Sequence, residues 1–355
     1  MKDIKVGIVT FINTINYGAS LQAYALQECI EKFGVRAEII QYVNEKIEKK
    51  EKNRKLLSIR RLVKSLVMGS DIINKIESFQ KFENDNIHRG DVLLPNSKDI
   101  INKEYDFFIT GSDQVWNMNI THEDWTYFLN FVYDNKKKIS YAASFGNDIF
   151  PQKCYDEAAY YLAQIPALSV REMSGLQLIK KITGREAVVV LDPTLLLSKK
   201  EWEERINFKP DLQHYILVYL PHNKQLVFEF VFDLKKATNL PVVYLSISPR
   251  PQNNVKTIYD ASPDEFLGWM YYADYVVTGS FHGTAFSLNF EKQFYYEPSA
   301  NGGRIENLVK LTGTDSRQIS NKTDFNQEID YSYVSKKLEL ERNKSKAWLK
   351  EKLRL

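Results

Sequence analysis

Short apolar runs alternate with stretches whose apolar positions recur at helical spacing, and this alternation passes through the chain twice. Lys5 to Phe11 is a run typical of a buried parallel strand. After the loop Ile12 to Gly18, the residues Leu21, Ala25, Cys29, Ile30 and Phe33 share one side of a predicted helix, which Gly34 ends as a C-cap. Glu38 to Tyr42 is the next strand, so the chain opens β-α-β. Further strands are predicted at Asp106 to Thr110, Lys138 to Ala143, Ala167 to Val170 and Ala187 to Leu191, with helices near 153–163 and after Glu172. A polar stretch near 198–213, with Glu201-Trp202-Glu203-Glu204 and Lys209-Pro210-Asp211, reads as a domain junction. The alternation then restarts: strand Tyr215 to Leu220, helix 223–238, strand Val242 to Ile247. Ser262-Pro263-Asp264-Glu265 matches a capping box with proline at the first helical position. A strand over 275–278, a turn at His282, a helix to about 290 and a strand from Phe294 to Glu297 complete the pattern.

Two such runs predict an α/β protein of two doubly wound, Rossmann-like domains facing a cleft. The first covers 1–200 and carries a basic, mostly helical insertion at about 44–100. The second covers 212–330. A basic C-terminal helix, 331–355, is expected to pack back across the junction. In such folds ligands lie beyond the carboxyl ends of the strands, so the strand-end turns are where chemistry is sought.

Composition alters this picture little. The 355 residues are 44% apolar and 26% charged, ordinary for a soluble enzyme, and long enough for two cores. Tyr and Phe are plentiful, at 21 and 20, and aromatic rings are common in carbohydrate-facing clefts as well as in cores. Cys29 and Cys154 suffice for neither a metal cage nor a disulfide framework. No leader-like or membrane-spanning run is seen, so a cytoplasmic location is expected. The net charge of +3 is uneven: Glu45 to Lys64 holds nine Lys/Arg against three Glu, and Lys336 to Leu355 eight against three. In the first segment Leu56, Ile59, Leu62, Val63, Leu66 and Val67 recur at helical spacing among Arg60, Arg61 and Lys64. That pattern suits a helix resting on an anionic membrane surface or a phosphate-rich partner, and a solvated helix packing one stripe on its own domain is the plainer reading. No nucleic-acid partner is expected.

Several chemistries lack their residues. No GxGxxG follows the first strand and no GxxxxGK[ST] occurs, so the usual dinucleotide and P-loop phosphate cradles are missing. There is no Asp-x-Asp clamp and no GxSxG elbow. His88, His122, His214, His222 and His282 show no metal-ligand spacing. Metal-independent chemistry on an anionic substrate remains. The run Tyr275 to Thr284 places His282 between a buried strand and the start of a helix, where free N–H groups favour an anion. An imidazole there is placed to donate a proton, and a core histidine satisfied by a carbonyl is the alternative.

The other strand-end turns supply Asn16-Tyr17-Gly18, Asp113, Arg171-Glu172 and Asp192-Pro193. Together with Gly111-Ser112-Asp113-Gln114-Val115-Trp116-Asn117, Leu191-Asp192-Pro193-Thr194 and Ser280-Phe281-His282-Gly283-Thr284-Ala285-Phe286, they resemble the polysaccharide pyruvyl transferase family, in that family's order over most of 4–311. The resemblance implies a GT-B-like fold and transfer of the pyruvyl group of phosphoenolpyruvate to two sugar hydroxyls, as a cyclic ketal, with release of phosphate. Phosphoenolpyruvate is a co-substrate, and no cofactor or metal is implied. The acceptor would be a glycan or lipid-linked saccharide, with a galactose 4,6-ketal the family habit, in surface or capsular polysaccharide synthesis at the inner face of the membrane. By this resemblance the catalytic residues would be His282, Asp113 and Arg171. Donor binding would fall to Arg171, Ser280, His282, Gly283, Lys292 and Arg304, and acceptor binding to Asn16, Tyr17, Asp113 and Trp116. Many relatives carry an acidic residue or an arginine just before the histidine core; Gly279 and Ser280 stand here, so Arg304 or Lys292 would complete the donor site. Each residue also has a plainer reading. Arg171 can pair with Glu172, Asp113 can cap a helix, Lys292 can lie at the surface, and Asn16 and Tyr17 can shape the first turn. A nucleotide-sugar glycosyltransferase on the same scaffold and a non-catalytic carbohydrate-binding subunit of a polysaccharide assembly complex are the competing functions.

Overall fold

The apolar runs form two all-parallel sheets. The computed structural model describes residues 4–42, 44, 69–94, 96–220, 225–247, 252–298, 303–320 and 323–355. The basic stretch Glu45 to Lys64, with the amphipathic pattern that runs on to Val67, and also His222, lie outside them. The first sheet comprises β1 (Lys5–Val9), β2 (Arg36–Gln41), β3 (Arg89–Val92), β4 (Phe107–Thr110), β5 (Lys138–Ala143), β6 (Ala167–Val170) and β7 (Val188–Val189), in the order β3-β2-β1-β4-β5-β6-β7. The second comprises β8 (Ile216–Tyr219), β9 (Val242–Leu245), β10 (Lys256–Ile258), β11 (Tyr275–Thr278) and β12 (Gln293–Tyr296), in the order β10-β9-β8-β11-β12. Every pairing is parallel.

The helices are α1 (Tyr17–Glu31), α2 (Gly69–Asn86), α3 (Lys98–Glu104), α4 (Met118–Thr121), α5 (Tyr155–Ala163), α6 (Met173–Thr183), α7 (Lys199–Glu203), α8 (Gln225–Thr238), α9 (Pro263–Tyr272), α10 (Phe281–Asn289), α11 (Arg304–Thr312) and α12 (Tyr331–Lys352). Ser262 and Glu265 form the capping box of α9 reciprocally, with Pro263 at its first position. Two edge strands depart from the sequence reading. β3 falls inside the stretch read as a helical insertion, and pairs with β2 through Ile39 to Arg89 and Gln41 to Val92. The chain from β2 through α2 to β3 is therefore a further crossover of the sheet rather than an appendage.

In each sheet the strand order reverses once, between β1 and β4 and between β8 and β11, which makes a crevice at the carboxyl ends of those strands. The two crevices face one another. Around them the junction is apolar: Tyr17, Leu21 and Ala25 of α1, with Phe79 and Phe82 of α2, share one core with Leu217, Phe266, Val276 and Phe286 of the second domain. Tyr17 stacks on Phe266 at 4.5 Å. Helix α12, about 33 Å long by its 22 residues, runs across the same junction. Val334 and Leu338 pack into that shared core, and Leu349 packs with Val6, Ile8 and Cys29 of the first domain. Between them Arg342 donates from Nε to the Leu195 carbonyl at 2.8 Å and from Nη2 to Asn289 Oδ1 at 3.2 Å. Among the described residues no helix is long and apolar enough to cross a membrane.

Candidate active site

Four strand ends bring ionisable side chains to one place between the domains. β4 runs into Gly111-Ser112-Asp113. A Cβ on Gly111 would lie 2.1 Å from the Tyr141 carbonyl oxygen, and φ there is +114°, so this turn requires glycine. Asp113 follows with φ +61°, uncommon for a residue with a side chain, and its carbonyl accepts the Ser144 N–H at 3.0 Å. β6 ends at Arg171 and Glu172. β7 leads to Asp192, which caps the short turn Pro193–Leu195 by accepting the Thr194 N–H. From the second domain, β11 passes through Ser280, the N-cap of α10, to His282 in the first turn of that helix.

The charges interlock. Arg171 donates from Nη1 to Asp192 Oδ2 at 2.9 Å, while its Nη2 lies 3.7 Å from Asp113 Oδ1 and its Nε 3.5 Å from Glu172 Oε2. His282 faces the same Asp192 oxygen, with Nε2 at 3.7 Å. Its ring is wedged against α1: a Cβ at Gly18 would lie 2.0 Å from Nδ1, so only glycine permits this approach. The Arg171 guanidinium lies over the Phe281 ring at 4.5 Å. Burial would raise the Asp192 carboxyl, but His282 and Arg171 hold it well below the usual carboxylate range. Burial pushes the Glu172 carboxyl up, against the pull of Arg171, of the Ser144 hydroxyl that donates to it at 2.6 Å, and of Arg304. Arg304, the first residue of α11, is lowered by burial and by the Arg171 charge, and also feels Glu172 and Asp113.

Buried polar atoms without hydrogen-bond partners concentrate here. Among the described residues they include Arg171 Nε and Nη2, Glu172 Oε2, His282 Nε2 and Arg304 Nε. Nε and Nη2 are one edge of the Arg171 guanidinium, the fork that binds carboxylate or phosphate bidentately. Buried donors are ordinarily satisfied, so a cluster of this kind marks a place built to receive an acceptor-rich ligand.

The site therefore gathers His282, Asp113, Arg171 and Arg304 from the residues singled out in the sequence. Ser280 and Gly283 adjoin it in structural roles: Ser280 Oγ accepts the Gly283 N–H at 3.4 Å. Asn16 caps α1, its Oδ1 accepting the N–H of Gly18 at 2.9 Å. Three residues stand elsewhere. Tyr17 is buried in the shared core with its hydroxyl donating to the Ala261 carbonyl at 2.8 Å. Trp116 is fully buried, donates to the Tyr127 carbonyl at 3.0 Å and stacks on Phe128. Neither ring is presented to an acceptor. Lys292 lies beyond the far end of α10, at the start of β12, where it lines a separate surface pocket of about 450 Å³ with Lys199, Lys209, His214 and Asp274. It cannot complete the donor site. Asp113 caps no helix, since the next one, α4, is capped by Asn117. Asp192 and Glu172 stood in the quoted motifs without a role; their signal was a carboxylate at the end of a buried strand.

Solved structures with a similar backbone include UDP-GlcNAc 2-epimerases. A UDP-GlcNAc 2-epimerase from Neisseria meningitidis, solved bound to UDP-GlcNAc, is 12% identical with a TM-score of 0.50, covering 99% of each chain. A putative UDP-N-acetylglucosamine 2-epimerase from Listeria monocytogenes is 11% identical with a TM-score of 0.52, covering 98% of this chain and 91% of its own. At that identity the likeness establishes the fold, the two-domain GT-B arrangement. No curated protein matches at the level of sequence. The pattern of one family does, over residues 16–297, a span that includes every strand-end turn described above: the chain belongs to the polysaccharide pyruvyl transferase family.

Proposed function

We propose that the protein transfers the pyruvyl group of phosphoenolpyruvate to two hydroxyls of a sugar, forming a cyclic ketal and releasing phosphate. The observation that carries this reading is the Nε–Nη2 edge of Arg171, which makes no hydrogen bond and meets Glu172 and Asp113 only at 3.5 and 3.7 Å, beside Arg304 and His282 at the facing crevices of both domains. Phosphoenolpyruvate offers a carboxylate and a phosphate, and both suit such a fork. The family membership supports this reading over a glycosyl transfer or a purely binding role.

A proton from His282 goes to the methylene carbon, which becomes the methyl group, and the electron-poor central carbon is captured by the first sugar hydroxyl. The bond from that carbon to the phosphate oxygen breaks, and the second hydroxyl closes the ring. Of the two hydroxyl protons, one replaces that given to carbon and the other leaves with phosphate. Asp113, buried beside Arg171, is placed to receive a hydroxyl proton. The acceptor is a galactose-type diol in a glycan or lipid-linked saccharide, assembled for a surface or capsular polysaccharide at the inner face of the membrane.

The test is incubation with phosphoenolpyruvate and a panel of synthetic or lipid-linked glycosides, with and without a chelator. A mass gain of about 70 Da on one acceptor, with phosphate released in step and chelator without effect, is expected. His282→Gln should lower the rate ~10²–10⁴-fold. Phosphate release without any acceptor, or tight nucleotide-sugar binding with no ketal, would overturn the reading.

A further inference from the structure

Asp192 has no part in the steps above, yet it is the most firmly held group of the site. Its Oδ1 accepts the N–H of Thr194 at 3.0 Å and the Thr194 hydroxyl at 2.8 Å. Its Oδ2 accepts from Arg171 Nη1 at 2.9 Å and from the Ser112 hydroxyl at 3.0 Å, and lies 3.7 Å from His282 Nε2. The side chain is wholly buried, and the turn it caps leaves it no second orientation. One rigid oxygen thus touches a guanidinium of the first domain and an imidazole of the second.

We infer that Asp192 is a positioning residue, which places the proton of His282 on Nε2 and turns the Nε–Nη2 edge of Arg171 toward the donor. Nδ1 packs against Gly18, while Nε2 is buried without a hydrogen bond and faces Asp192. A carboxylate facing that nitrogen favours a proton on it. On Arg171, occupying Nη1 leaves Nε and Nη2 as the pair presented to a ligand. Ionisable groups near the pair include Asp113, Glu172 and Arg304, and Tyr141 lies near Asp192 itself. None of these contacts both side chains through one atom.

The inference rests on the pyruvyl-transfer reading only for its activity arm, and it is tested first without turnover. Imidazole ¹⁵N–¹H spectra of the full chain, with His282 assigned by difference against His282→Gln, should show the neutral ring protonated on Nε2. A neutral ring protonated on Nδ1 alone overturns the inference, and needs no variant that must fold. Asp192→Asn should move the proton to Nδ1, and should lower kcat/KM for phosphoenolpyruvate ~10²–10⁴-fold, through kcat and KM together. Ser112→Ala, which removes a donor but keeps the carboxylate, should leave the tautomer unchanged and cost less than tenfold. If Asp192→Asn keeps the native tautomer and rate, the role is refuted. If the tautomer shifts while the native protein makes no ketal, the pyruvyl-transfer reading fails and the positioning role stands.

Discussion

A single methylene at Gly18 tests the residue-scale account. The Cβ of Gly18→Ala would need the space of the His282 imidazole, 2.0 Å from Nδ1, and the ring has Asp192 on its other side. Displacing it by about 1 Å should cost ~10²-fold in turnover, with a stability loss of about 1–3 kcal/mol from overpacking. Turnover and chemical denaturation measured on the same preparation separate the two. Glu172 supplies a pH dependence. Its carboxyl is raised by burial, so it keeps a proton beyond the usual carboxylate range. Once ionised, 3.5 Å from Arg171 Nε, it competes with the donor for that guanidinium. The KM for phosphoenolpyruvate should therefore rise as pH rises through the Glu172 titration, and Glu172→Gln should flatten that limb. Of this cluster the sequence showed His282, Arg171 and Asp113, because each follows a legible strand, and Arg304 as a cation that follows the His282 helix. It did not show Tyr17 or Trp116 turned inward: aromatic rings next to a motif read alike whether they face a sugar or a core.

At the scale of elements, two serine caps distinguish stability from function. Ser262 caps α9 and Ser280 caps α10, each by accepting an N–H of the first turn. Either one changed to Ala should cost about 0.5–2 kcal/mol in denaturant unfolding. Only Ser280→Ala should also lower turnover, since α10 carries His282 and the loosened turn moves it; equal rates for both variants would show that the α10 cap does not set the imidazole. The capping box of α9 was readable because its four residues are contiguous. Two of the four edge strands were not. β3 is Arg-Gly-Asp-Val and β10 is Lys-Thr-Ile, and neither holds the apolar run that marks a strand covered on both faces. Edge strands meet solvent, tolerate charge, and take their conformation from a neighbour's backbone rather than their own pattern. The strands β4, β6, β7 and β11 fell where apolar runs placed them, and those four position the site.

For the whole molecule, the junction is held by apolar packing that has enclosed a lysine. Lys75 of α2 reaches into the second domain, donating to the Tyr259 carbonyl at 2.7 Å and lying over the rings of Tyr17 and Tyr259. Burial pushes its ammonium down to about 8. The unfolded chain holds that proton to about 10.4, so between pH 8 and 10 the unfolded state binds more protons than the native one. Stability must then rise with pH across that window, at up to about 1.4 kcal/mol per pH unit for one group. Below pH 8 both states are protonated, and the cost of burying the charge is constant. Lys138 and Lys292 are also pushed down to about 8 and add to the same slope. Buried tyrosines such as Tyr17 and Tyr141 are raised, so they hold protons longer in the native state and turn the slope downward above pH 10. Urea unfolding from pH 7 to 11 should show this rise and fall, and Lys75→Met should remove about one group's share of the rise while leaving the fall. An unchanged slope in Lys75→Met would mean that the ammonium is solvated at the junction, and that the two domains are packed less tightly around α2 than their shared core requires.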